Sequence, residues 1–151
     1  MKFLSYILLI CPVIGRLFTK MVHTPIYESS QLCSAHHVIL MKETPFQEYE
    51  SRLENIYLLD FSPCDDITNY GTLWKMITGQ KINGKERLLH LDDCDLSETF
   101  LPSLLENPET RRPLDTIQDL DRDLYNKVQE WDTAFQLYTH NCQHFGRHIQ
   151  G

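Results

Sequence analysis

Apolar positions along the chain change their spacing from one stretch to the next, and the spacing predicts the elements. HHVILM (36–41) follows polar SSQLCSA and is rich in strand-forming residues. IYLLDF (56–61) is a second such run, stopped by SPCDD. Both read as strands. ERLLHL (86–91) reads as a third, entered through the turn pair Asn83-Gly84. KETPFQEYESRLEN, between the first two, is longer than a tight hairpin needs and has room for one helical turn. GTLWKMITG (71–79) reads as a short helix closed by Gly79.

Downstream of Pro113 the period changes to that of a longer helix. Ile117, Leu120, Leu124, Val128, Trp131 and Phe135 recur at steps of 3 and 4, one apolar stripe facing a core. Asp115 or Thr116 supplies its cap. ETRRPLD before it reads as a charged surface linker. FQLYT is either a short extended piece or the end of that helix. A last short helix follows. Asn141 is a good N-cap residue, and Cys142, Phe145 and Ile149 then share one face.

That pattern places Cys142 in a first helical turn, and this changes the picture. First-turn amides have no intrahelical partners, and the helix dipole adds partial positive charge there. A thiolate at such a place is stabilised, more so beside an imidazolium. The same amides can donate to an oxyanion formed on an attacked carbonyl. Acyl transfer on cysteine also needs a base, usually His, and a group to orient it. His36 opens the first strand and Asp60 lies inside the second. If these strands pair antiparallel, imidazole and carboxylate face each other across the ladder. An Asp within an apolar strand is costly without a partner, which independently gives Asp60 a role. His37 competes with His36 for the part of base. Strand alternation turns the two to opposite faces, so only one is expected to serve.

Composition sets outer bounds. The chain has 151 residues, 42% hydrophobic and 23% charged, enough for one globular domain with a sizeable core. A net charge of −7 excludes an extended nucleic-acid footprint. MKFLSYILLICPVIG has the length of a signal-peptide apolar region and is short for a membrane span. The expected organisation is a hydrophobic N-terminal segment, 1–20, acting as signal peptide or anchor, and a single catalytic domain over 21–151. The alternative readings are a buried N-terminal segment, or an upstream extension of a domain that begins near Met21. With a signal or anchor the protein is secreted or membrane-associated, with residues 3–14 as the membrane contact; otherwise it is cytoplasmic.

Cys11, Cys33, Cys64, Cys94 and Cys142 contain no CxxC pair, so a zinc ribbon or thioredoxin-type motif is absent. Cys142 itself is either a buried core residue or a nucleophile. His140, His144 and His148 are spaced by four and read as solvated or locally bonded rather than as metal ligands. His90 reads as a strand-end surface residue. DDCD (92–95) lacks the spacing of a calcium loop.

HHVILM, LLDFSP and NCQHF, in that order, resemble the three motifs of the permuted papain-like cysteine enzymes typified by lecithin retinol acyltransferase and the related phospholipase/acyltransferases. The resemblance implies an α+β fold, a small antiparallel sheet packed on helices in a circularly permuted papain-like (NlpC-like) arrangement. It implies Cys142 as nucleophile, His36 as base and Asp60 as orienting group, with no cofactor and no metal. Asp60 stands where the family usually has His, Gln143 where it has Glu, and His37 where it has an aromatic residue. The three motifs cover a small part of the chain, and 64–115 carries no resemblance. Other permuted families, such as the deSUMOylating isopeptidases, share an Asn-Cys-x-x-Phe element. The implied function is therefore a thiol hydrolase or acyltransferase acting on an ester or amide, with a lipid or a peptide or protein as substrate. The alternative is a non-catalytic binding domain on the same fold.

Overall fold

The computed structural model describes residues 16–24, 36–97 and 101–151. The chain is α+β. Strands β1 (Phe18–Thr24), β2 (His36–Lys42), β3 (Arg52–Pro63), β4 (Ile82–Asp95) and β5 (Arg111–Arg112) lie in sequential order, each antiparallel to the next, and β6 (Ala134–Phe135) pairs with the start of β4. Helix α1 (Tyr70–Ile77) connects β3 to β4, and α2 (Leu101–Glu106) precedes β5. Helices α3 (Thr116–Leu120), α4 (Arg122–Glu130) and α5 (Cys142–Gln150) complete the described elements. The N-terminal run 1–15, with Cys11, and the segment holding Cys33 lie outside the described residues.

Strand alternation divides the interior into two layers. Ile39 and Met41 of β2 and Leu59 and Phe61 of β3 face α3, α4 and α5, meeting Ile117, Val128 and Phe145. Val38, Leu40 and Leu58 face the other way, onto Leu101 and Leu105 of α2. Gly146 lets α5 approach closely, because a Cβ there would collide with the Met21 side chain of β1.

Several elements differ from their predicted form. β3 and β4 are much longer than the apolar runs within them. Asn83-Gly84 does not make a turn; both residues lie inside β4, with Gly84 opposite Pro63. A Cβ at Gly84 would strike the Phe61 ring and the Thr133 carbonyl, so close approach explains this glycine. The turn is made earlier, after α1, where Gly79 has φ +78°. The segment after β2 holds no helical turn. His90 is not at a strand end; it lies within β4, bonded to Asn55 Oδ1 at 2.6 Å. ETRRPLD is more than a linker, since its two arginines form β5.

The long amphipathic stripe is broken into two helices at Asp121. Asp121 leaves the helical conformation, its Oδ1 accepting from the Leu124 N–H at 3.1 Å and its Oδ2 from the Leu17 N–H at 3.0 Å. A buried carboxylate thus caps α4 and ties down the chain entering β1. Leu17 is buried and β1 runs from Phe18, so folded chain extends upstream of Met21. Phe135, the last residue of the stripe, is in β6. Asp115 occupies the N-cap position of α3 without a side-chain hydrogen bond. No helix among the described residues is long and apolar enough to cross a membrane.

Candidate functional site

Helix α5 begins where the residue pattern places it. Asn141 Oδ1 accepts from the Gln143 and His144 N–H groups at 2.9 and 3.2 Å, and His144 Nδ1 faces the Asn141 N–H at 3.4 Å, a reciprocal cap. Cys142 is therefore the first helical residue. Phe145 and Ile149 anchor the helix in the core, fixing the thiol against the start of β2. The His37 N–H donates to Cys142 Sγ at 3.4 Å.

β2 and β3 pair antiparallel, and His36 Nε2 lies 2.7 Å from Asp60 Oδ2. With Nε2 engaged by the carboxylate, Nδ1 is the ring nitrogen left for another partner. His36 also interacts with the Cys142 thiol. The structure thus joins Cys142, His36 and Asp60, which are far apart in sequence.

Asp60 has no exposed surface. Burial alone would raise its pKa, but hydrogen bonds from His36 and Arg87 and the positive charge of both hold it below the usual carboxylate range. Arg87 sits directly across the β3–β4 ladder and grips the carboxylate with both edges of its fork, Nε to Oδ1 at 2.9 Å and Nη2 to Oδ2 at 2.5 Å. Burial likewise opposes charge on His36. The bonds and charges of Asp60 and Cys142 outweigh it and raise the imidazole to about 9. His36 is thus an imidazolium at neutral pH.

Two features escaped the sequence reading. Arg87 was hidden because its partner is set by strand register; its one signal was a long cation inside an apolar strand. His37 does not simply turn away from the site. Its Nδ1 stands 3.8 Å from Cys142 Sγ, and its ring packs on His23 at 4.1 Å between centroids. Both histidines touch the thiol because it lies at the mouth of β2, where helix and strand ends meet.

The site opens into a cleft of about 710 Å3 that wraps the end of the sheet. Its wall includes His36, His37 and Cys142, the apolar side chains Phe61 and Met76, and the carboxamide-bearing Gln143. The remaining histidines of the C-terminal region are held locally. His140 stacks on Trp131 at 3.8 Å, His144 joins the cap, and His148 Nε2 bonds the Lys127 carbonyl at 2.7 Å. Among the described residues no cluster of His, Cys, Asp and Glu is arranged to hold a metal. Comparison of the chain with protein-family models, with curated proteins and with solved structures returned no match. Any functional reading therefore rests on the site itself.

Proposed function

We propose that the protein is a cysteine-nucleophile hydrolase or acyltransferase built on a permuted papain-like fold. The observation that carries this reading is the buried chain Arg87–Asp60–His36 ending at a thiol in the first turn of α5. In a core with ample apolar side chains, such an array is expensive to build and has a clear chemical use.

The reaction uses the imidazole of His36 beside the sulfur of Cys142: with the proton held by His36, the sulfur attacks the carbonyl carbon of an ester or amide as a thiolate. The carbonyl π bond opens to an oxyanion, for which the carboxamide of Gln143, a residue of the cleft wall, is the candidate donor. As the tetrahedral adduct collapses, its bond to the leaving group breaks and His36 supplies the proton. A thioester remains on Cys142. His36, now neutral, takes a proton from water or an acceptor hydroxyl or amine, whose attack releases the acyl group. Asp60 holds the ring in one orientation and favours its charged form. Since the amides of Gln143 and His144 serve the Asn141 cap, fewer backbone donors face the oxyanion than the sequence suggests.

An activated acyl ester tests the reading. The wild type is expected to gain one acyl group on Cys142, seen as a hydroxylamine-labile mass increment, and Cys142→Ala to gain none while keeping its circular dichroism. An adduct of equal yield in the variant would contradict the assignment. A folded wild type that forms no adduct with any acyl donor would point to the non-catalytic binding domain.

A further inference from the structure

Helix α1 carries apolar residues on both sides. Thr72 and Met76 point inward, Met76 reaching the cleft. Tyr70, Leu73, Trp74 and Ile77 recur at helical spacing on the opposite side, all exposed, Tyr70 at 88% and Trp74 at 67%. Tyr138 extends the stripe, exposed itself and with its hydroxyl donating to the Ile77 carbonyl at 2.8 Å. Singly exposed apolar side chains are ordinary, but a contiguous aromatic and aliphatic stripe marks a contact surface.

Charge identifies the contact. In a chain of net charge −7, residues 67–85 contain Lys75, Lys81 and Lys85 and neither Asp nor Glu, the acids nearest in sequence being Asp65 and Asp66 before the stretch and Glu86 after it. Lys75, in the last turn of α1, and Lys81, four residues beyond the helix, are both exposed. Two such faces brought together would set lysine against lysine, which disfavours a second copy as occupant. Tyr and Trp with an apolar body and a polar tip, flanked by lysines, suit the boundary between acyl chains and anionic headgroups.

We infer that the Tyr70–Ile77 face, with Tyr138, docks the protein on an anionic phospholipid bilayer. This holds whether or not Cys142 is reactive. If the acyl-transfer reading also holds, Met76 links the docked helix to the cleft, and the bilayer becomes the source of ester substrate.

Trp74 is one of two tryptophans, so it can be followed separately in a Trp131→Phe background. The full chain is mixed with vesicles of phosphatidylcholine alone and with phosphatidylserine. Trp74 emission is expected to shift to the blue and to be quenched by brominated lipid. Partition should weaken with salt on the phosphatidylserine vesicles. Trp74→Ala with Ile77→Ser should lower partition by about tenfold or more, since both side chains leave the apolar layer. These positions are exposed, so the fold is retained, and circular dichroism checks it. The apolar N-terminal run makes Trp74 emission, not sedimentation alone, the deciding signal. Unshifted Trp74 emission with vesicles would overturn the proposal, as would a blue shift arising without lipid through self-association. Cys142→Ser should bind vesicles as the wild type does, which keeps docking separate from any failure of the acyl-enzyme assay.

Discussion

Two Arg–Asp pairs bridge β3 and β4, one towards each end of the ladder. Both use the Arg fork on two carboxylate oxygens. Arg52 bonds Asp93 at 3.2 and 2.8 Å, and Arg87 bonds Asp60 at 2.9 and 2.5 Å. Their surroundings differ. The side chains of the first pair are 71% and 51% exposed, those of the second 8% and 0%. Water screens the first pair, and much of its attraction is offset by the ordering of two mobile side chains. The second has given up its hydration, and hydrophobic replacement of such buried pairs is often no less stable. Its persistence is explained by what it continues into. Asp60 passes on to His36 and Cys142, whereas Asp93 meets Arg52 on the exposed surface. The same bond is a surface detail at one end and the support of the candidate site at the other.

The largest separation between the two pairs should appear in activity. Asp60→Asn removes the charge that orients His36, and acyl transfer should fall by roughly 10²- to 10⁴-fold. Asp93→Asn should leave the rate unchanged in the same ester assay. Comparable losses in both would break the contrast.

Stability comes next. Arg87→Ala leaves a buried carboxylate without its main partner and should lower unfolding free energy by about 3–5 kcal/mol in urea titrations. Arg87→Lys keeps the charge but loses the fork, and should fall between wild type and alanine. An unchanged urea midpoint for Arg87→Ala would show that Asp60 does not depend on Arg87.

The pH dependence sharpens the same point. His36 has a folded pKa raised from 6.5 to about 9, so its contribution is fully present below 6.5 and is lost as pH rises through about 9. Asp60 is shifted the other way. Its contribution is present above the ordinary carboxylate value of 3.8 and is lost as pH falls through its lower folded value. Stability should therefore decline from neutral pH toward about 9 in the wild type and decline less in His36→Gln. An identical alkaline slope in both would remove His36 as its cause. The smallest effect belongs to the exposed pair, where Arg52→Ala should leave the thermal midpoint within error of wild type.

The same contrast explains what could be read from the sequence. Local rules were legible because their causes lie close together in the chain. Asn141 as cap, the Cys142–Phe145–Ile149 face and the apolar runs of β2, β3 and β4 are of this kind. Asp60 was legible because a carboxylate in an apolar strand needs a partner, and His36 because a cysteine nucleophile needs a base. Arg87 was not, since its role depends on a register that no local pattern sets. The break at Asp121 was hidden by an unbroken stripe. Its cause is a bond to Leu17 across the fold, and periodicity cannot report a distant competitor for a helix. Asn83-Gly84 followed turn preference, but the Phe61 ring decided the position. α1 shows the complementary limit: spacing reveals a stripe and does not say whether it faces the core or the outside.

The most direct test of the account is the titration of His36 by imidazole NMR, with the signal assigned through His36→Gln. The buried array predicts a midpoint near 9 in the wild type, falling in both Asp60→Asn and Cys142→Ala. A midpoint near 6.5 that neither substitution moves would contradict it, leaving His36 an ordinary strand histidine.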